Sequence, residues 1–188
     1  MHLSRPGILA VIISAILFST QSAAQDFLRT GPHVFNYNYA EIKYLDVDNA
    51  DGFGLVGSAD IKPNLALKVQ YATLSAGSVE SNILRLGAAN YIGSTNYKQA
   101  DWVFEAGLDF GGGDVDSDTG LFLSGGVRYA LNDAMELNGA IEVSTIYDTD
   151  LTAKLAALYE VSTGFAALVE AELGDGSSIG LGVRFYWR

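Results

Sequence analysis

Apolar and polar residues alternate along most of this chain with a period of two, in segments of about a dozen residues. A period of two is typical of a β-strand whose two faces meet different surroundings. Gly, Asp, Asn, Ser and Pro punctuate the segments, as turns require. The pattern predicts ten strands, over residues 34–46, 52–61, 64–74, 80–92, 98–110, 120–131, 134–147, 150–161, 164–174 and 177–187.

Two kinds of connection join these segments, and they alternate along the chain. One kind is tight, as at residues 62–64 and 132–133, whereas the other is acidic or rich in glycine, as at residues 46–52 and 111–120. Such alternation is expected when consecutive hairpins turn on opposite sides of a membrane. We therefore predict short periplasmic turns and longer outer loops.

The two faces of the predicted strands separate a membrane barrel from a soluble one. In the fifth strand, Trp102, Phe104 and Leu108 share one face, and Asp101 and Glu105 occupy the other. Bulky rows from ten strands would overfill a narrow lumen, but they suit contact with lipid. The chain is therefore predicted to be all-β, a closed antiparallel up-and-down transmembrane β-barrel of about ten strands.

Charges of both signs fall on the face that this interpretation assigns to the lumen. Because a buried charge must be paired, these side chains could pair across the interior. They could form an ion path or gate, or a salt-bridge plug that replaces an apolar core, and we favour the plug. The predicted lumen charge network consists of Lys68, Arg85, Glu105, Arg128, Glu142, Lys154, Glu170 and Arg184.

The first predicted strand does not separate apolar from charged residues onto two faces as the other strands do. Tyr37 and Tyr39 have the same parity as Glu41 and Lys43, which would place large aromatic rings on the charged face. A β-bulge inserts one residue and so exchanges the two faces. A bulge near Ala40 would therefore repair the pattern; otherwise the predicted register of the first strand is wrong.

Residues 1–24 have the features of a cleaved signal peptide. Arg5 is followed by an unbroken run of apolar and small residues at 8–18, and small residues stand at positions 22–24. The run is shorter than the ~20 residues of a spanning helix. We predict that residues 25–188 form the mature barrel, and no later stretch is apolar enough for a membrane helix.

Composition narrows the function classes. The chain has 11 Lys and Arg against 22 Asp and Glu, a formal net charge of −11, which does not suit nucleic acid. It has no cysteine, so disulfides and thiolate metal sites are excluded. We expect no cofactor.

Two kinds of chemistry were weighed and set aside. His33 is the only histidine after residue 24, and no serine–histidine motif stands on a late strand, so an enzyme is not expected. Residues 46–52 and 114–120 carry carboxylates at alternate positions, as calcium loops do. Their glycine is one place late, however, and no glutamate closes either loop, so we interpret both as solvated turns and predict no metal site.

The last strand resembles the C-terminal signal of outer-membrane β-barrel proteins, with apolar residues at every second position and Arg188 after the final aromatic residue. The stretch from Tyr44 to Ala72 is similar to the first hairpins of small barrels of Gram-negative bacteria, the class with OmpX-like and OmpA-like domains. This resemblance implies an outer-membrane location and recognition by the barrel-assembly machinery, and many members have eight strands. The signal residues are Ile179, Leu181, Val183, Phe185 and Trp187.

Three functions are compatible with this pattern. We favour a non-enzymatic outer-membrane barrel with a structural or surface-interaction role, in contact with outer-membrane lipid and lipopolysaccharide. A narrow pore for ions or small solutes is the alternative, and an enzyme is third. The sequence leaves the oligomeric state open.

Overall fold

The computed structural model describes residues 35–48, 50–94, 96–97, 99–114 and 117–187. Their regular elements are ten strands, and each strand pairs with its neighbours in sequence while the first pairs with the last. The closed antiparallel up-and-down barrel and its ten strands are therefore confirmed, and eight strands is wrong. The strands are β1 (Tyr39–Val47), β2 (Ala50–Lys62), β3 (Leu65–Ala76), β4 (Val79–Gly93), β5 (Ala100–Gly113), β6 (Asp118–Ala130), β7 (Met135–Ser144), β8 (Asp150–Ser162), β9 (Phe165–Leu173) and β10 (Ser177–Tyr186).

The pairing of β1 with β10 closes the barrel and places both ends of the described chain at the same end of the barrel. β1 and β10 pair without interruption from Tyr39 opposite Tyr186 to Val47 opposite Ser178. We call the end where β1 begins the terminal end, and the other the opposite end. Closure leaves no strand edge unpaired, which hydrocarbon would not tolerate. Within the described residues, no helix is both long and apolar enough to cross a membrane. The predicted signal peptide at residues 1–24 lies outside the described residues.

Several hairpin connections depend on a left-handed backbone. Asn64 between β2 and β3 has a φ of 65°, Gly77 between β3 and β4 has 66°, and Gly164 between β8 and β9 has 80°. Glycine adopts these angles without steric cost, and asparagine tolerates them better than most residues. The turn residues that punctuate the sequence therefore have a direct conformational role.

The strands divide into an apolar outer face and a polar inner face. On β8, Leu155 is 63% exposed, whereas the adjacent Lys154 is 5% exposed. Outward-facing leucine, valine, isoleucine and aromatic side chains form a band around the whole barrel. This distribution is the reverse of that in a soluble protein and is the arrangement of a membrane barrel.

The expectation of a bulge near Ala40 was wrong. β1 pairs in continuous register with both β2 and β10, and Tyr39, Glu41 and Lys43 all point into the lumen. The Tyr39 ring lies against the Arg184 guanidinium, whose carbon is 4.3 Å from the ring centroid, and Tyr37 packs with Ala66 and Ala89. The aromatic rings therefore fit inside without an exchange of faces. The register shifts of the described strands lie instead near the terminal-end turns, in β2 and in β8.

Candidate functional site: the charged lumen

A belt of four charged side chains occupies the middle of the lumen. Arg85 on β4 donates to Asp109 on β5 from Nε at 2.6 Å and from Nη2 at 2.8 Å. Its Nη1 donates to Glu142 on β7 at 2.7 Å, and Lys154 on β8 lies 2.8 Å from the other oxygen of that carboxylate. Two cations and two carboxylates from four strands thus form one charge-balanced group, which we call the middle belt.

Small residues on the inner face make room for the middle belt. The Phe122 ring stacks on Arg85, with the guanidinium carbon 4.0 Å from the ring centroid. A Cβ atom on Gly87 or Gly107 would come within 2.6 Å of the Phe122 side chain. Ser144 donates to Asp109 at 2.9 Å and satisfies a further lone pair. The inward glycines therefore admit the ring that holds the guanidinium in place.

Two further ion pairs lie beside the belt. Lys68 on β3 is 2.6 Å from Glu105 on β5, and Lys43 on β1 is 2.8 Å from Glu170 on β9. All four side chains are at most 5% exposed. Each pair joins strands that are not adjacent, so the contacts pass through the interior of the barrel.

A second group of charges lies toward the terminal end. Arg184 on β10 pairs with Glu41 on β1, and its Nη1 lies 3.7 Å from Glu136 on β7. Arg128 on β6 also pairs with Glu136. The hydroxyl of Tyr186 accepts from both arginines at 3.2 Å. We call these five residues the terminal cluster.

Several contacts span almost the whole diameter of the lumen. Phe35 lies four residues before β1, and its ring centroid is 4.3 Å from the guanidinium carbon of Arg128. Arg128 is on β6, which lies on the opposite side of the ring of ten strands from β1. The Tyr37 hydroxyl donates to Asp101 on β5 at 3.4 Å. The Tyr37 ring stacks on Tyr91 of β4, with centroids 3.6 Å apart. These contacts therefore bridge the interior of the barrel at this end.

The opposite end is narrowed by an apolar cluster instead of charges. Leu45, Leu74 and Ile83 point inward there and pack with Ile146, which belongs to the loop between β7 and β8 and is 1% exposed. The loop is held by a hydrogen bond from the Thr145 amide to the Leu121 carbonyl, at 2.9 Å. Part of a loop therefore folds into the mouth of the barrel.

The terminal end holds a cavity of about 590 Å³. Its wall combines apolar residues such as Phe35, Leu158 and Trp187 with the Arg128–Glu136 pair. A volume of this size is within the usual range for ligand pockets, roughly 300–1,000 Å³. The cavity leads inward as far as the terminal cluster.

The structure places the predicted lumen charge network inside the barrel and brings its members into ion pairs. Sequence reasoning left Glu41 and Lys43 out of the network, because the register of the first strand was left open. It also missed Asp109, Glu136 and Glu172, although their parity along the strands was a signal that could have found them. The eight predicted residues, each at most 5% exposed, are Lys68, Arg85, Glu105, Arg128, Glu142, Lys154, Glu170 and Arg184.

The buried charges of the described residues are unequal in number. Six are Lys or Arg, eight are Asp or Glu, and every one of the six cations has a carboxylate within 4 Å. Pairing reduces the cost of burying a charge. The interior is therefore cross-linked by ion pairs and has a small excess of negative charge.

The remaining predictions concern metal binding, His33, the two acidic loops and the assembly signal of the last strand. Within the residues that the structure covers, no group of three or more His, Cys, Asp or Glu could hold a metal ion. His33 and parts of both acidic loops lie outside the described residues. The predicted assembly-signal residues follow the outward face of β10 and its end, and Leu181 and Phe185 are more than half exposed there.

Comparison with known proteins supports the fold. No protein-family model and no curated protein sequence matches this chain. Two solved structures of KdgM porin are each 12% identical to this chain, and each comparison covers 80% of this chain and 99% of the porin. The TM-score is 0.53 for the structure in complex with disordered oligogalacturonate and 0.55 for the other. NanC porin is 11% identical, with a TM-score of 0.53, and covers 79% of this chain and 99% of its own. At these identities the likeness shows the fold alone, a transmembrane β-barrel.

Proposed function

We propose that this protein is a non-enzymatic outer-membrane β-barrel whose lumen is closed by its own side chains, with a structural or surface-interaction role. One observation carries the proposal: ion pairs and aromatic contacts join strands across the interior. Phe35, which precedes β1, contacts Arg128 on β6, on the opposite side of the ring of strands. The middle belt adds a second obstruction, and the apolar cluster around Ile146 adds a third.

Three features support the outer membrane as the location. The outward face is apolar around the whole barrel, the first 24 residues have the pattern of a signal peptide, and the last strand resembles an assembly signal. On this proposal, outer-membrane lipid and lipopolysaccharide surround the barrel and the barrel-assembly machinery inserts it. Membership of the OmpX-like and OmpA-like class is part of the same proposal, although ten strands exceed the eight of many members.

A narrow pore for ions or small solutes is the second candidate. The excess of buried carboxylates and the cavity at the terminal end favour it, and a barrel with such a lumen would prefer cations. The structural neighbours KdgM and NanC are named porins, which keeps this function in view. Against it stand the ion pairs and aromatic contacts that cross the described interior.

The test is single-channel conductance of refolded residues 25–188 in a planar bilayer, after a cold-versus-boiled gel shift shows a folded barrel. We expect no steady conductance, because side chains fill the interior at several levels. Steady, cation-preferring steps from the unmodified protein would contradict closure and establish the pore.

A variant and its matched control locate the obstruction. Replacing all four middle-belt residues by serine removes two charges of each sign, and we expect low but measurable conductance. The control replaces Leu84, Leu108, Val143 and Leu155, on the outward faces of the same strands, by alanine and should stay silent. If the serine variant folds but remains as silent as the control, the middle belt is not the narrowest obstruction, and the terminal cluster with Phe35 or the apolar cluster around Ile146 closes the lumen without it.

A further inference from the structure

The inner face of β5 and β6 is shaped to receive the loop that enters the mouth at the opposite end. A Cβ atom on Gly120 would collide with the backbone of Ile146, and one on Gly111 would collide with the Tyr147 ring. Glycine permits this close approach because it has no side chain. Asp118, which pairs with Gly111 across the two strands, accepts a hydrogen bond from the Tyr147 amide at 2.6 Å. The wall therefore holds the loop in one position by shape and by a hydrogen bond.

The loop has a strained backbone in this position. Tyr147 has a φ of 61°, in the left-handed region that bulky residues rarely adopt. The Asp148 amide donates to the Ile146 carbonyl at 2.7 Å, which makes these three residues a γ-turn of the strained kind. Such strain persists only where the surrounding contacts hold it. The loop would therefore relax if its contacts with the wall were lost.

We propose that residues 146–149 form a lid that opens and closes the opposite end of the lumen. The lid starts after Thr145, which is fixed to β6: its amide donates to the Leu121 carbonyl and its hydroxyl accepts from the Leu121 amide, both at 2.9 Å. The lid ends where β8 begins, at Asp150. Residues between two fixed points can move together without disturbing the strands.

Opposing contributions act on the closed lid. Ile146 is 1% exposed and packs with Leu74 and Ile83, so opening would expose apolar surface. Opening also breaks the hydrogen bond to Asp118, whereas it relieves the strain at Tyr147. A small change at the wall is therefore enough to shift the lid toward its open position.

Lid opening changes access to the mouth, not to the whole lumen. On the proposed function, the middle belt still obstructs the barrel behind the lid, and the inference rests on that function. Opening then exposes only the apolar positions beside Ile146, such as Ala72. Positions deeper in the barrel stay protected.

Thiol labelling tests the lid, because the chain has no cysteine of its own. Ala72→Cys places a probe in the apolar cluster around Ile146, and Ala89→Cys places one deeper, beside Tyr37 and Tyr91. Both alanines are at most 2% exposed. A membrane-impermeant thiol reagent is added to each variant of refolded residues 25–188. We expect Ala72→Cys to react at least about tenfold faster than Ala89→Cys, which reacts only on global unfolding.

Two substitutions in β6 should each speed the reaction at Ala72→Cys by about a further tenfold. Gly120→Ala puts a methyl group where the lid backbone lies, and Asp118→Ala removes the hydrogen bond to the lid. Gly125→Ala is the matched control on the same strand, because a Cβ atom there would lie 3.7 Å from the Phe104 ring, an ordinary contact. It should leave the rate unchanged.

The possible outcomes separate the lid from the closed lumen. Equally slow reaction at both probes, unchanged by Gly120→Ala and Asp118→Ala in barrels that the gel shift shows to be folded, would overturn the lid and leave the closed lumen intact. Rapid reaction at both probes without any substitution in β6 would contradict the closed lumen and the lid with it. Should Gly120→Ala fail to fold, Asp118→Ala decides alone.

Discussion

Arg85 shows how a single residue organises the interior. Its guanidinium group makes two hydrogen bonds to Asp109 and one to Glu142 while its flat face lies on Phe122. A planar fork of donors suits this geometry, whereas the ammonium group of lysine is a point charge and cannot reproduce it. The position therefore selects arginine, not positive charge alone.

We predict that Arg85→Met lowers the free energy of unfolding by about 3–5 kcal/mol, because two buried carboxylates lose a cation. Arg85→Lys should recover less than half of that loss. Lys62→Met, at an exposed lysine beside the β2–β3 turn, is the control and should change stability by less than about 0.5 kcal/mol. Urea unfolding followed by tryptophan fluorescence measures all three, and full stability in Arg85→Lys would show that charge alone suffices.

At the scale of the strand, two faces with opposite chemistry determine the fold. β8 alternates strictly through its first half, where Leu151, Ala153 and Leu155 are exposed and Thr152 and Lys154 are buried. The apolar side chains avoid water only if lipid covers them, and the charged ones avoid lipid only inside. Each strand therefore specifies the membrane and the lumen together.

We predict that an arginine on the outward face of β8 is more harmful in the middle of the strand than at its end. Leu155→Arg should cost about 2–4 kcal/mol, and Val161→Arg about 0–1 kcal/mol, because the penalty falls toward the membrane surface. Both side chains are at least 60% exposed on the same strand, which makes the pair well matched. Reversible folding into lipid vesicles gives both values. Equal costs at the two positions would argue against a lipid-facing band.

At the scale of the whole molecule, closure of the barrel and closure of the lumen have different causes. Pairing of β1 with β10 closes the wall through backbone hydrogen bonds. The lumen is obstructed by side chains at three levels: the terminal cluster with Phe35, the middle belt, and the apolar cluster around Ile146. Because the obstructions lie in series, removing one of them should not open a wide path.

We predict that Ile146→Ser alone leaves the bilayer silent, since the middle belt still fills the lumen behind it. Added to the serine variant of the middle belt, the same substitution should raise the conductance further, because two obstructions in series are then reduced. Single-channel recording compares the variants directly. Thr149→Ser in the same loop is the control, and a conductance increase from Ile146→Ser alone would show that the apolar cluster is the main barrier.

Much of this fold could be predicted from the sequence because the side-chain period of a strand is two. The number of strands and the outward face of Trp102, Phe104 and Leu108 follow from that period without any partner strand. Placement of charges such as Lys68 and Arg184 on the inner face follows in the same way. In each case the information is local, since one strand alone distinguishes its two faces.

Other features depend on residues that are distant in sequence. Arg85 and Glu142 are 57 positions apart, and Lys43 and Glu170 are 127 apart, so strand periodicity could not choose these partners. The orientation of Tyr37 required knowledge that Tyr91 and small residues face it. The sequence by itself determined the barrel and the two faces of its wall, because these are local properties of a strand. Only the tertiary structure decided which charges pair and how the lumen is filled, because those contacts arise after the strands are arranged in a ring.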